Sequence, residues 1–239
     1  MSIKAVLFDL DGTLLPMNQD RFIEEYFKEI SSYLHTHGGY EPKGFMRAMW
    51  QGIGAMIKND GTKTNEDAFW LEFIKVFGEE RVKKDLPLFD SFYKERFSLT
   101  KSVCGYTPYS RKIIDCLKEK GITVALATNP VFPEVATKTR MGWVDLTADD
   151  FVLVTTYENI GYCKPNPDYY RDIAKKIGAL PSECLMVGND TSDDLSAALA
   201  GMDVYLVTDC LINTKGIDIE SYKHGNIKEL YSYITTVGR

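Results

Sequence analysis

Five short apolar runs punctuate the chain: "IKAVLFDL" at 3–10, "ITVALAT" at 122–128, "FVLVTTY" at 151–157, "CLMVG" at 184–188 and "VYLVT" at 204–208. Nearly continuous hydrophobic runs of this length, with helical patterns between them, are what a parallel sheet covered on both faces requires. The intervening patterns are "SRKIIDCLKEK" closing on Gly121, "DYYRDIAKKI" closing on Gly178, "DDLSAALA" closing on Gly201, and a final "NIKELYSYITTV". Glycine just past each of the first three supplies a helix stop. The alternation predicts a doubly wound α/β core.

Residues 17–101 follow a different rule, since no β-type run interrupts them. Phe22, Ile23, Tyr26, Phe27, Ile30, Tyr33 and Leu34 recur at helical spacing and make one broad apolar stripe. A second helix is expected over Lys43–Lys58, a turn at "NDG" 59–61, and a capping-box start at Thr64 with Asp67 for "AFWLEFIKVF". Further helix reaches Phe97. A block this long is too large for a loop, so an all-helical unit over 17–101 is expected, inserted into a core of residues 1–16 and 102–239. Its aromatics read first as packing residues. Trp50, Phe69, Trp70 and the "QGIGAM" stretch fit either core packing or the wall of a site.

With 239 residues the chain can bury a substantial core, and a formal net charge of −6 gives nucleic acid or an anionic membrane no basic face to bind. No apolar stretch approaches the ~20 residues of a membrane-spanning helix, and the N-terminus turns acidic too early for a signal peptide, so a cytoplasmic location is expected. The five cysteines, Cys104, Cys116, Cys163, Cys184 and Cys210, are widely spaced without a CxxC pair, which suggests reduced packing residues. His35 and His37 sit before Gly38-Gly39, where histidine suits a helix C-terminus better than a metal site.

Open α/β sheets hold ligands beyond the carboxyl ends of their strands. There the first run ends in Asp9 and Asp11, the second in Thr128-Asn129 and the fourth in Gly188-Asn189-Asp190, while Lys164 in "GYCKPNPDYY" precedes a helix. Carboxylates, a hydroxyl, an amide and an ammonium at one edge suit phosphoryl chemistry. A carboxylate such as Asp9 can attack phosphorus, provided that a cation offsets the repulsion between two anions; Mg²⁺ with one or two carboxylates, water and a phosphate oxygen is a usual arrangement. Asp190 and Asp194 add acidic oxygen, Thr128 and Lys164 suit the phosphoryl oxygens, and Asp11 suits a general acid and base.

The same segments, in order, resemble the four motifs of the haloacid dehalogenase-like (HAD) hydrolase superfamily: "FDLDGTLL", "ALATN", Lys164 in "CKPNPDYY", and "MVGNDTSDDLSAA". The resemblance implies a Rossmann-like core with a helical cap over 17–101. It also implies Asp9 as nucleophile, Asp11 as acid/base whose carbonyl also binds Mg²⁺, Thr128, Asn129 and Lys164 at the phosphate, and the fourth motif at the metal. That motif departs from the family's usual glycine-aspartate, because Asn189 follows Gly188. Asp190 with Asp194 is the expected metal pair, on the ground that carboxylate outcompetes amide for Mg²⁺, with Asn189 and Asp193 as the other register. The expected activity is hydrolysis of a small phosphorylated metabolite. A β-phosphoglucomutase-like phosphomutase, a phosphonate hydrolase, a dehalogenase and a non-catalytic binding protein are the competing readings.

Overall fold

The computed structural model describes residues 3–237. Strand β1 (Ala5–Phe8) is followed by four consecutive helices, α1 (Gln19–Gly38), α2 (Pro42–Ile57), α3 (Asn65–Phe77) and α4 (Glu79–Glu95), and by a 3-10 segment, Phe97–Val103. Then α5 (Tyr109–Glu119), β2 (Thr123–Leu126), α6 (Glu134–Gly142), β3 (Leu153–Val154), α7 (Pro167–Lys176), β4 (Cys184–Gly188), β5 (Asp203–Val207), β6 (Lys223–Gly225) and α8 (Ile227–Thr236) complete the order. The strands form one sheet in the order β3-β2-β1-β4-β5-β6, every neighbouring pair parallel.

The apolar runs explain this sheet. All four residues of β1 are buried, and Phe8 stands in register with Leu126 on one side and Val187 on the other. From β1 the chain builds outward first through β2 and β3 and later through β4 to β6. The crossovers therefore diverge beside β1, which opens a crevice at the carboxyl ends of β1 and β4.

In the helical block, α1 starts where the Asn18 side chain accepts the Arg21 N–H at 3.0 Å, and stops at Gly39, whose φ of +61° favours glycine. His35 and His37 do lie in its last turn. The α3 start follows Thr64, which accepts the Asp67 N–H at 3.1 Å. Phe22, Tyr26, Phe27, Ile30 and Leu34 are buried, and they belong to one apolar cluster that runs unbroken from Val6 and Phe8 of β1 out to Phe45, Phe73 and Phe89. Asn65, fully buried, stitches this block to the sheet side through its amide, which donates to Pro130 O at 3.0 Å and Tyr162 O at 3.2 Å.

Two elements differ from expectation. "DDLSAALA" winds as a 3-10 segment, Asp194–Ala200, instead of an α-helix. Its first side chain is pulled back beneath Gly188, and the Ser196 hydroxyl donates to Asp193 O at 2.6 Å, which tightens the winding from the start. Strand β6 is short and polar, "KHG", and joins the sheet through backbone pairing and the Lys223–Asp203 ion pair, so no hydrophobic run announced it. Among the described residues no helix is long and apolar enough to cross a membrane.

A charged clasp ties both ends of α5 to Asp150, just before β3. Asp150 accepts from Arg111 at 2.7 Å, from Lys118 at 3.0 Å and from the Thr147 N–H at 2.9 Å. Burial works to raise its carboxyl, but these three partners together hold it below the usual carboxylate range. A depressed folded-state pKa adds stability above the unfolded value and loses it as pH falls through the folded one. Urea denaturation of Asp150→Asn is therefore expected to show a loss of about 1–2 kcal/mol near neutrality, a gap that begins to narrow only as pH falls below about 4.

Candidate active site

β1 delivers the first motif residues to the crevice. The Asp9 N–H still donates to Val187 O at 2.8 Å, and then Gly12, with φ +85°, turns the chain. A Cβ at Gly12 would sit 2.3 Å from Asn189 Nδ2, so only glycine lets the two loops approach. The turn sends the two aspartates to different partners. Asp9, 7% exposed, accepts from Lys164 Nζ through Oδ1 at 2.8 Å and from Thr13 Oγ1 through Oδ2 at 3.2 Å. Asp11 Oδ2 pairs with Arg140 Nη1, while Asp11 Oδ1 is buried without a hydrogen-bond partner.

Arg140 was not anticipated. It stands on α6, fully buried, with its guanidinium 4.5 Å from the centre of the Phe132 ring and its Nε donating to Ala136 O at 3.3 Å. The signal was present in the sequence: Ala136, Thr137, Arg140 and Met141 share the buried face of α6, and an arginine on an apolar stripe calls for a buried carboxylate.

Lys164 is buried, not a solvated loop lysine. Its ammonium bridges Asp9 Oδ1 and Asp194 Oδ1, the latter at 2.7 Å. Asp194 Oδ2 accepts the N–H groups of Asn189 and Asp190, both at 2.9 Å, and a Cβ on Gly188 would lie 2.1 Å from Asp194 Cγ. Both oxygens of Asp194 are thus engaged within the protein, Oδ1 with Lys164 and Oδ2 with the fourth-motif loop. Asn189 is equally committed: Nδ2 donates to Cys210 O at 2.7 Å and Oδ1 accepts from Thr13 at 3.0 Å. The Asp190 carboxylate accepts from the Ser192 and Asp193 N–H groups through Oδ1 only.

Thr128 and Asn129 follow β2. The Thr128 carbonyl accepts from Thr155 and Tyr169 hydroxyls, both at 2.7 Å, and the Asn129 amide links the Lys164 N–H to the Asp193 carboxylate, each at 3.3 Å. Asp9, Asp11, Thr128, Asn129, Lys164, Asp190, Asp193 and Asp194 all line one cavity of about 90 Å³. Five carboxylates there face one ammonium, with Arg140 engaged behind Asp11. Burial pushes the Asp9 carboxyl up to about 7 despite Lys164, with Asp194 and Asp11 adding to the rise. Burial, helped by Asp194 and Asp190, likewise lifts Asp193 to about 6 against Lys164 and Asn129. Burial opposes the charge on Lys164, yet Asp194 and Asp9 outweigh it and hold the ammonium well above its ordinary range.

Carboxylates outnumber cations in this site. Among the described residues no three acidic, histidine or cysteine side chains close into a cation cage. The donor set instead suits Mg²⁺, which keeps water ligands and takes one or two carboxylates together with substrate oxygen. The buried, unpartnered Asp11 Oδ1 in the cavity wall fits positive charge there.

A family model described as haloacid dehalogenase-like hydrolase matches residues 3–201. The chain belongs to the haloacid dehalogenase-like hydrolase family. It is therefore an enzyme of hydrolase type, and its relatives share most of its length. The YhcW protein of Bacillus subtilis (strain 168) is 26% identical over 226 residues, 93% of this chain and 90% of that one. Pyrophosphatase PpaX of Bacillus cereus (strain AH820) is 25% identical over 204 residues, 84% and 81% of the two chains. The crystal structure of a HAD phosphatase from Thermococcus onnurineus shares the fold with a TM-score of 0.58 at 21% identity, covering 97% of this chain and 98% of that one. In this hydrolase of the family, the match spans both the β1 edge and the helical block after it.

Proposed function

We propose that this HAD hydrolase is a Mg²⁺-dependent phosphomonoesterase that acts on a small phosphorylated metabolite through a phospho-Asp9 intermediate. The observation that carries the reading is the buried Asp9–Lys164–Asp194 arrangement beside Thr128, in a cavity sized for a phosphoryl group. Residues 1–16 and 102–239 form the catalytic core in this reading, and residues 17–101 form the cap over it. Membership in the family and pyrophosphatase-named relatives support phosphoryl chemistry.

An oxygen of Asp9 attacks phosphorus, an acyl phosphate bond forms, and the bond to the leaving oxygen breaks with a proton from Asp11. Water then attacks the phospho-Asp9, Asp11 takes its proton, and inorganic phosphate leaves with the Asp9 carboxylate restored. Lys164 and Thr128 hold phosphoryl oxygens as charge develops. Asp194 is a positioning residue that keeps Lys164 aimed at Asp9. Arg140 holds the Asp11 side chain at the cavity edge. Asp9, the Asp11 carbonyl and Asp190 would hold Mg²⁺, which supplies positive charge to the transferring group.

The test is release of phosphate or p-nitrophenol from p-nitrophenyl phosphate with Mg²⁺ and with EDTA. Turnover with Mg²⁺ alone is expected. Asp190→Ala is expected to remove the Mg²⁺-dependent rate with the fold intact by circular dichroism. Asn189→Ala should retain Mg²⁺ dependence at lower stability, since it releases Thr13 and Cys210 and leaves the carboxylates in place. The opposite pattern would move the metal to Asn189 and Asp193.

A further inference from the structure

Directly beside the phosphoryl cavity lies a larger one of about 600 Å³, walled by α1 to α4 and by the segments after β2 and β3. The two share Ile23, Val131 and Phe132 as a common wall, so a group leaving the phosphoryl site has this chamber next to it. Its volume falls within the ~300–1,000 Å³ of sites that enclose drug-sized ligands, and far exceeds what water or a second phosphate needs. Aromatic rings dominate the wall: Tyr26, Phe27, Trp50, Phe69, Trp70 and Phe132. Trp50 is 53% exposed and rests on Phe27 with ring centres 4.9 Å apart.

The charge of the chamber is one-sided. Glu66, Asp90, Glu134 and Glu158 line it, and among the described residues no lysine, arginine or histidine does. Glu134 is paired outside with Lys138, and Glu158 accepts only the Glu134 N–H, at 2.9 and 3.1 Å. Glu66 is half-buried, and burial, followed by the charges of Glu158 and Asp67, raises its carboxyl above the ordinary range. A cation between Glu66 and Glu158 would relieve that repulsion, whereas a second anion would add to it and meet no cationic side chain in the wall. The Tyr26 and Tyr93 hydroxyls, 2.9 Å apart in the same wall, leave one O–H free to meet a polar substituent.

Resting on the phosphatase reading above, we infer that the substrate is the phosphomonoester of a ring-bearing apolar alcohol or phenol that carries a protonated amine and no second anionic group. The ring lies among Phe27, Trp50, Phe69 and Trp70, and the ammonium meets Glu66 and Glu158. Pyrophosphate, whose leaving group is a second phosphate, is a poor match for this chamber.

A matched pair tests the claim: tyramine phosphate against the phosphate ester of 4-hydroxyphenylacetate, which differ in an ammonium versus a carboxylate on the same phenol. With Mg²⁺ the amine ester is expected to have a kcat/KM about tenfold or more above the carboxylate ester, and above pyrophosphate. Glu66→Gln combined with Glu158→Gln should bring the matched pair to near parity. Free tyramine should also quench the tryptophan fluorescence of the metal-free protein, and 4-hydroxyphenylacetate should not. Hydrolysis of p-nitrophenyl phosphate with pyrophosphate or the carboxylate ester preferred over tyramine phosphate would overturn the inference and leave the phosphatase reading standing. Tyramine quenching without hydrolysis of any ester would overturn the phosphatase reading and the substrate inference with it, leaving only a chamber that binds a ring-bearing amine. Absence of quenching by tyramine would overturn the inference whatever the turnover.

Discussion

Replacing Asp9 with asparagine is expected to lower Mg²⁺-dependent turnover of p-nitrophenyl phosphate by roughly four orders of magnitude or more, the scale seen when a nucleophile is removed. An amide has the shape of the carboxylate and can keep the Thr13 contact, but it cannot form the acyl phosphate. No acid-stable phosphoenzyme should be trapped from this variant. Its fold should survive, because Asp9 is where burial lifts a carboxyl to about 7 and the protein gives up stability to keep it ionised. Lys164 would retain Asp194 as its partner at 2.7 Å. The melting temperature of Asp9→Asn is accordingly expected to equal or exceed that of the parent without metal. Together, collapsed turnover and preserved melting separate a chemical role for Asp9 from a structural one.

The sheet was legible because burial on both faces leaves a plain mark, an uninterrupted apolar run, at each of β1, β2, β4 and β5. Strand β6 carries no such mark, since Lys223 and His224 gain their place from backbone pairing with Tyr205 and Leu206. The residues of the candidate site were legible as types and positions, yet their pairings were not. Nothing local tells that Lys164, set between a cysteine and a proline, reaches carboxylates 155 and 30 positions away in the chain. The fourth motif shows the same limit. Its spacing offers Asp194 as an acidic side chain, but does not tell that Gly188 leaves room for that side chain to fold back onto two backbone N–H groups. Arg140 was hidden for the opposite reason: periodicity marked its face as buried, and only the crevice beyond β1 explains what a charge does there.

Lys164→Met is expected to damage both stability and catalysis, and the two losses can be told apart. Lys164 is 3% exposed, and its ammonium lies between two buried carboxylates, at 2.8 Å from Asp9 and 2.7 Å from Asp194. Taking away the cation leaves like charges facing each other out of reach of bulk water, which typically costs about 3–5 kcal/mol. Urea denaturation of the metal-free variant should show that loss as a lower midpoint at unchanged slope. Mg²⁺ should recover part of it, because a cation held by Asp9 replaces some of the missing charge. Adding Asp194→Asn to Lys164→Met removes one of the two stranded charges, and most of the lost stability should return. Turnover should not return with it. The phosphoryl oxygens would still lack their buried ammonium, a deficit on the order of 10²–10³ in kcat for one removed stabilising group. Recovery of both properties in the double variant would instead reduce Lys164 to a counter-charge for Asp194 and leave Mg²⁺ and Thr128 to hold the phosphoryl group alone.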